Sequence, residues 1–403
     1  MIGNRIRQAR VAGGMTQQEV VDALAAEGVS LTKGGLSKYE RGGSAPKATV
    51  IRALGRVLGV DASFFLDQPG VEVRWLAFRK ASQLGKIRQE RVKALAERQL
   101  ETFLMLRQAM APSSGEMAAP PRTRVRGPED AERAAETVRA FWNLGDQPIK
   151  SVTAAIEDGG GVVIDSGGED DLFDGLSGWA NETVPVVVVS SAVSDDRRRF
   201  SLAHELGHLF VDAGDVDDKT EERFAHRFAA AFLVTAATAR RELGTKRRHL
   251  DFRELAVLKQ KHGLSMQAWI FRAVDLGIIE QGHGRSLFAK MGARGWRRVE
   301  PVEFKGEEQP QKLRQLTVRA LAEGLVTQTQ AEHICPGVTR DISEPESVGA
   351  LDARSMFQMP KSERDQLLAQ AATLVAEQYE DDGGLSGFES LSEEDHRDNS
   401  VDN

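Results

Sequence analysis

The sequence predicts a multidomain protein, with an all-α head followed by a mainly helical α+β domain that contains a small sheet. A length of 403 residues exceeds that of one ordinary domain. Residues 1–66 show the pattern of short helices separated by turns. The later helical pattern is interrupted by two β-branched runs, GGGVVIDS and VPVVVVSS, which predict strands.

Changes in composition set the expected domain boundaries. The head is expected over 1–66 and a connecting helix over 67–110, where apolar residues recur at helical spacing. Residues 111–128 are rich in Pro, Ser and Gly, so we expect a linker there. The second domain is expected over 129–345, and a helical, acidic tail that binds a partner over 346–403.

Charge is distributed unevenly along the chain. Residues 1–60 carry nine Lys and Arg against four Asp and Glu, whereas residues 380–403 carry nine acidic residues against one Arg. This asymmetry indicates a head that binds nucleic acid and an acidic, solvated tail. A merely charged surface and a frayed end are the alternative.

Cysteine usage and hydropathy indicate the compartment. Cys335 is the single cysteine, so no disulfide can form within the chain, which is typical of a reducing cytoplasm. The N-terminal residues MIGNRIRQAR lack an apolar signal core. The most apolar stretch, VPVVVVSSAV, is far too short to span a bilayer. We therefore expect a cytoplasmic protein with no membrane partner.

Two short helices in the head carry clear start signals. Thr16 is a good N-cap, and Glu19 three residues later completes a capping box. After a turn through Gly28, the segment TKGGLSKYERG starts a helix at a second Thr and stops at Gly42. A short helix held over a turn, with its N-terminal residues projecting, is the shape that enters a major groove.

This order of helices resembles the phage-repressor (XRE) helix-turn-helix family over residues 3–61. The resemblance implies that Gln17 and Gln18 touch the phosphates and first bases of double-stranded operator DNA, bound by a homodimer. It places four further DNA-binding side chains on the recognition helix, namely Thr32, Lys33, Ser37 and Lys38. It also implies an internal salt bridge between Arg10 and Glu40.

Gly34 and Gly35 depart from the family pattern, because they remove two side chains from the recognition helix. Each costs that helix roughly 1 kcal/mol in propensity. A helical bundle used only for dimerisation is therefore the alternative.

The segment RRFSLAHELGHLFVD contains two histidines four residues apart. Residues at this spacing share one face of a helix, so His204 and His208 can offer two imidazoles to one ion. Glu205 sits one position round, where it can reach a water on that ion. An amphipathic helix that happens to carry two histidines is the alternative. A catalytic zinc also needs a third protein ligand and an open fourth position.

A second helix, KTEERFAHRFAAAFLV, can supply the third ligand. Glu222 comes fourteen residues after His208, a distance at which an antiparallel second helix can bring its carboxylate back to the metal. Glu221 is the alternative ligand. His226, one turn further on, either forms a hydrogen bond to one of the metal-binding side chains or is merely a packed histidine. The other histidines with no partner spacing are expected to be structural or exposed: His249, His262 and His283.

From about 128 to 340 the chain resembles the ImmA/IrrE family of metallopeptidases, through a strand, RRFSLAHELGHLF and then E-x-x-A-x-x-F-A-A. The resemblance implies a zincin-like HExxH peptidase in which His204, His208 and Glu222 bind Zn²⁺ and Glu205 is the general base. The family commonly has Asn or Asp where this chain has His226, and Met-Pro where it has Val-Thr.

Two further expectations concern local structure in the second domain. The strand PVVVVSS, if it lies at a sheet edge, can hold an extended substrate by main-chain hydrogen bonds. The glycines near 282–286 predict a loop.

The tail combines an apolar stripe with acidic residues, which is the layout of a segment that wraps a partner. It weakly resembles the neutralising segments of bacterial antitoxins that accompany PIN-type nuclease toxins. The stripe consists of Leu367, Leu368, Ala371, Leu374 and Val375.

Two functions therefore remain. In the first, a DNA-binding transcriptional regulator carries a zinc-dependent peptidase that cleaves a partner protein, a repressor or a toxin, or the chain itself. In the second, an antitoxin-type repressor neutralises a toxin through its tail, and the peptidase domain is a scaffold.

Overall fold

The computed structural model describes residues 2–66, 70–76, 85–110, 118–167, 173 and 175–339. Contacts divide the chain into a unit Met1–Thr339 and a unit Arg340–Asn403. The predicted tail at 346–403 and the first part of the predicted linker lie outside the described residues.

The head is all-α, as predicted. Its helices are α1 (Ile2–Ala12), α2 (Gln17–Ala26), α3 (Lys33–Glu40) and α4 (Ala48–Leu58), followed by a 3₁₀ turn at Ala62–Phe65. The capping box of Thr16 and Glu19 is confirmed, and the hydroxyl of Thr32 accepts a hydrogen bond from the Gly35 N–H at 3.1 Å. The helices enclose a small core centred on Ile6, Leu24, Leu36, Leu54 and Phe65.

The connector contains a strand that the sequence did not predict. Strand β1 (Val73–Trp75) precedes helix α5 (Lys86–Met110), so the expected helix begins only at Lys86. Val73 and Trp75 are a β-branched and an aromatic residue, and both pack into the core beneath the sheet. The stabilisation gained by pairing with that sheet outweighs the preference for a helix that the local sequence pattern indicates.

A four-stranded mixed sheet forms the centre of the second domain. It contains β1, β3 (Val162–Asp165), β4 (Leu176–Ala180) and β5 (Val184–Val189) in the order β1-β4-β5-β3. Strand β5 runs parallel to β3 and antiparallel to β4, and β1 is antiparallel to β4. Because β5 lies inside the sheet, the expectation that it offers an edge to a substrate is wrong.

A parallel two-stranded ladder joins β2 (Thr123–Arg124) to β6 (Val211–Asp212). The remaining elements are α6 (Pro128–Phe141), α7 (Val152–Asp158), α8 (Asp195–Phe210), α9 (Asp218–Leu233), α10 (Ala236–Leu243), α11 (Phe252–His262), α12 (Met266–Asp275), α13 (Gln281–Ala293), α14 (Lys312–Ala322) and α15 (Gln328–Ile334). The second domain is thus mainly helical with a small sheet, as predicted. None of the described helices is long and apolar enough to cross a membrane.

The loop predicted near 282–286 is wrong, because these residues lie in α13. Gly284 is buried there, and a Cβ at this position would come within 2.6 Å of Val274. The glycine allows close packing against α12 rather than a turn.

The sheet separates two layers. Helix α5 covers one face, where Leu100 and Phe103 pack against Val186 and Val188. The opposite face packs against the larger helical core, which includes Leu202 and neighbouring residues of α8.

A buried ion pair fixes the start of α8. Glu308 and Arg199 are fully buried and lie 2.6 Å apart. The same carboxylate accepts hydrogen bonds from the N–H groups of Val152 and Thr153 at the start of α7. Both carboxylate oxygens of Glu308 are thereby engaged, which is the condition under which a buried charge is tolerated.

Candidate metal centre and DNA-binding head

Helices α8 and α9 approach each other closely because Gly207 lacks a side chain. A Cβ at Gly207 would lie 2.9 Å from the Cα of Ala225. This contact brings the face of α9 that carries Glu222 against the face of α8 that carries the two histidines.

Three side chains meet there. The Nε2 atoms of His204 and His208 are 3.2 Å apart. Each faces a different oxygen of Glu222: His204 Nε2 lies 3.4 Å from Oε2, and His208 Nε2 lies 3.3 Å from Oε1. Tetrahedral zinc with ligand bonds of about 2.0–2.1 Å holds its ligand atoms about 3.3–3.4 Å apart. The donor set and its spacing therefore fit a zinc ion.

The acidic side chains of the cluster favour a positive charge beside them. Hydrogen bonds with His204 and His208 hold the pKa of Glu222 well below its usual range, so the carboxylate stays ionised. Burial lowers the pKa of His208, but hydrogen bonds to Glu221 and Glu222 outweigh burial and raise that pKa to about 10.

Glu221, the alternative third ligand, faces the other side of His208. Its Oε1 lies 3.8 Å from His208 Nδ1, whereas Glu222 faces Nε2. Glu222 is thus the acid whose carboxylate faces the Nε2 atoms of both His204 and His208.

His226 lies at the exposed rim of the cluster. Its ring centroid is 4.5 Å from that of His204, and its other face stacks on Phe200 at 5.7 Å. One ligand atom each of His204, Glu222 and His226 lie within 4.8 Å of one another. This group shares His204 and Glu222 with the group described above. The shortest distances between ligand atoms, 3.2–3.4 Å, occur in the group that contains His208.

Glu205 is buried and held by a residue that sequence reasoning missed. The Ser177 hydroxyl, on β4, donates a hydrogen bond of 2.7 Å to Glu205 Oε2. Gly175 leaves room for this carboxylate, since a Cβ there would lie 2.8 Å from Glu205 Cγ. Neither residue belongs to a motif; the only signal is a run of small residues around a strand.

The remaining predicted structural histidines behave as expected. His262 is buried against Trp269. The rings of His249 and His283 lie 5.4 Å apart, and His283 Nε2 accepts a hydrogen bond from the Leu250 N–H.

The predicted DNA-binding side chains lie on one part of the head. Thr32, Lys33 and Lys38 are exposed on and beside α3, and Ser37 is half-buried. Gly34, next to Lys33, is exposed as well.

On α2 the two glutamines differ. Gln18 is exposed and its amide donates to Asp22 at 2.9 Å. Gln17 is half-buried, and its amide donates to Glu40 at 2.7 Å. The predicted salt bridge between Arg10 and Glu40 is confirmed at 2.6 Å, so Gln17 is tied to this internal pair.

Two family models match the chain. Residues 6–65 match the helix-turn-helix model, and residues 164–273 match that of the IrrE N-terminal-like domain of M78 peptidases. The chain therefore contains an XRE-type helix-turn-helix domain and an IrrE-like domain. The XRE and ImmA/IrrE resemblances stated from the sequence are confirmed, the second over a shorter range than the expected 128–340. Comparisons with curated proteins and with solved structures found no match.

The IrrE-like match contains all residues of the metal cluster together with Ser177. Helix α5, strand β1 and Glu308 lie outside both matched segments. These parts nevertheless complete the core around the IrrE-like sheet and fix the start of α8.

Proposed function

We propose that this fusion protein is a DNA-binding transcriptional regulator whose IrrE-like domain is a zinc-dependent peptidase. In this proposal His204, His208 and Glu222 hold Zn²⁺ and Glu205 is the general base. The observation that carries it is the cluster in which the two Nε2 atoms lie 3.2 Å apart and each lies within 3.3–3.4 Å of an oxygen of Glu222. The buried glutamate beside the two histidines supports it further.

The chemistry follows from the residues around the cluster. When bound, zinc supplies a Lewis acid that polarises a peptide carbonyl and activates water. Glu205 takes the proton of the attacking water and later gives it to the leaving amine. Since Ser177 donates to Oε2, Oε1 of Glu205 is the oxygen left to carry that proton.

For the head, we propose that α3 enters the major groove of an operator as part of a homodimer. Lys33 and Lys38 lie exposed at the two ends of this helix, where they can contact phosphates or bases. Thr32 and Gln18 are exposed beside them, whereas Gln17 supports the head through Glu40.

One observation favours the chain itself as a substrate, or a partner segment that replaces part of it. Strand β1 covers the edge of β4, and the Leu76 N–H donates to the Ser177 carbonyl at 2.9 Å. Ser177 is the residue that holds Glu205. The connector therefore pairs with the same edge of β4 at which an extended substrate would pair by main-chain hydrogen bonds.

The antitoxin alternative depends on the tail, which lies outside the described residues. In that alternative the tail captures a toxin and the cluster has no catalytic role. The two functions differ in one outcome, which is whether a peptide bond is cut.

The test uses the full chain with and without zinc. Purified wild type, Glu205→Gln and His249→Ala are incubated with the protein products of adjacent genes, and every chain present is followed by mass spectrometry. We expect wild type and His249→Ala to cut a partner or themselves, and Glu205→Gln to keep zinc without cutting, because it loses the base and not a ligand. A stable complex with no cleavage in zinc-loaded wild type would favour the antitoxin alternative.

A further inference from the structure

A cavity of about 840 Å³ lies between the head, helix α5 and the last two described helices. Its volume is in the range of small-molecule binding sites, about 300–1,000 Å³. No member of the metal cluster is among the described residues that line it. The cavity is therefore a second place in the molecule where a ligand can bind.

The walls of the cavity combine polar and apolar side chains, and the apolar ones come from several elements. Phe64 contributes from the head, Leu104 from α5, Leu313 from α14 and Ile334 from α15. These side chains are only partly buried, so they remain accessible to a ligand. An apolar body of matching shape would remove them from water.

One of the cations on the wall, Arg98 of α5, is half-buried, and no carboxylate among the described residues pairs with it. Its neighbours along the helix are engaged elsewhere. Glu97 accepts a hydrogen bond from the Trp75 indole at 3.0 Å, and Glu101 binds Arg5 at 2.6 and 2.7 Å.

The surroundings of Arg98 act against its charge. Burial lowers the pKa of its guanidinium, and no acid in the described part of the chain offsets that effect. Charges withdrawn from water in proteins are normally paired. An anion that enters the cavity would supply the missing partner and accept two parallel N–H bonds from the planar guanidinium.

We propose that this cavity binds an amphipathic organic anion, whose acid group pairs with Arg98 and whose apolar body lies against Phe64, Leu104 and Leu313. The inference is independent of the proposed peptidase, because it uses none of the cluster residues. An arginine with no paired carboxylate among the described residues, set beside apolar side chains, is suited to a ligand with one acid group and a hydrocarbon or aromatic body.

A ligand in this position contacts the head and the body at once. Arg5 joins the head to α5 through Glu101 and stacks on Phe64 at 4.2 Å, and all three residues line the cavity. Binding there stabilises the arrangement of the head on α5, and it will raise the melting temperature of the protein by mass action.

The test uses the full-length protein and three probes. Anilinonaphthalene sulfonate reports binding by fluorescence, decanoate competes with it, and decanol is the matched uncharged competitor. Arg98→Met removes the charge with little change in length. Arg88→Met makes the same substitution at an exposed position of α5 outside the cavity.

We expect decanoate to displace the dye from one site per chain and to bind wild type and Arg88→Met equally. Arg98→Met should bind decanoate about tenfold more weakly, the loss expected for hydrogen bonds to a charged group. Decanol should bind wild type and Arg98→Met alike. Decanoate should also raise the melting temperature of wild type but not of Arg98→Met.

A second variant keeps the proposal testable if Arg98→Met does not fold. Thr102→Trp fills the cavity without removing a charge, and it should prevent binding of both decanoate and decanol. Equal binding of decanoate by wild type, Arg98→Met and Thr102→Trp would overturn the proposal. Absence of binding by wild type up to about 1 mM, a very weak affinity, would overturn it as well.

Discussion

The hydroxyl of Ser177 donates a hydrogen bond of 2.7 Å to Oε2 of Glu205, across 28 residues of sequence. Both side chains are buried, so this contact holds Oε2 of Glu205 in place. A general base must be held within hydrogen-bond reach of the proton that it takes. Ser177 therefore acts as a positioning residue in the proposed reaction.

Removal of this hydroxyl should weaken the proposed catalysis without loss of metal. Ser177→Ala is expected to retain zinc and to lower kcat about tenfold or more, with a small change in KM, because a hydrogen bond to a charged group is lost. Ser190→Ala, at another buried serine, is the control. An unchanged kcat in Ser177→Ala would show that the contact has no part in the reaction.

Space around Glu205 is the subject of a second prediction. Gly175→Ala places a Cβ 2.8 Å from Glu205 Cγ, so the carboxylate must shift. We expect zinc content to persist and cleavage to fall sharply, as measured by metal analysis and product formation. Gly282→Ala is the control, because its added Cβ meets nothing within 4 Å. Full activity in Gly175→Ala would contradict the proposed role of Glu205 as a held base.

The recognition helix offers a stability test. Gly34 is exposed and its added Cβ would be 4.0 Å from the nearest atom, the Thr32 hydroxyl. Gly34→Ala should therefore raise the free energy of unfolding of the head by up to about 1 kcal/mol. Gly3→Ala should lower it, since its Cβ would overlap the carbonyl oxygen of Tyr39. Denaturant titration of both variants measures this, and a destabilised Gly34→Ala would mean that α3 is not helical at this position.

Stability should depend on pH through His262. Burial lowers its pKa below the ordinary 6.5 and the charges of Lys261 and Arg241 act in the same direction, although Glu242 opposes them. The unfolded chain binds this proton more readily than the folded protein, so stability falls as the pH drops below 6.5 toward the folded pKa.

His262→Gln should remove this contribution. We expect a smaller loss of unfolding free energy between about pH 7 and pH 5 than in wild type, measured by denaturant titration of the zinc-loaded proteins. Identical slopes in the two proteins would show that the buried imidazole does not titrate differently on unfolding.

The sequence predicted those parts of the structure that depend on local spacing. His204 and His208 lie on one helix face because they are four residues apart, and Thr16 and Glu19 form their capping box within one turn. Glu222 was predicted because a second helix follows at a short distance. In each case the partners are near in sequence, so periodicity determines where the side chains point.

The parts that sequence reasoning missed are contacts between distant segments. Ser177 meets Glu205 only because β4 lies over α8, and Glu308 meets Arg199 across 109 residues. Strand β1 forms because an open sheet edge is available to Val73 and its neighbours. Composition and periodicity do not determine such pairings, and a glycine such as Gly284 can serve close packing as readily as a turn.

The zinc K-edge absorption spectrum of the zinc-loaded full chain tests the central claim most directly. The account predicts one zinc per chain with a first shell of imidazole nitrogen and carboxylate oxygen at about 2.0–2.1 Å. His208→Ala should lose the metal or one imidazole from that shell, whereas His249→Ala should leave the spectrum unchanged. A zinc-free wild type after incubation with zinc, or a spectrum that is the same in wild type and His208→Ala, would contradict it.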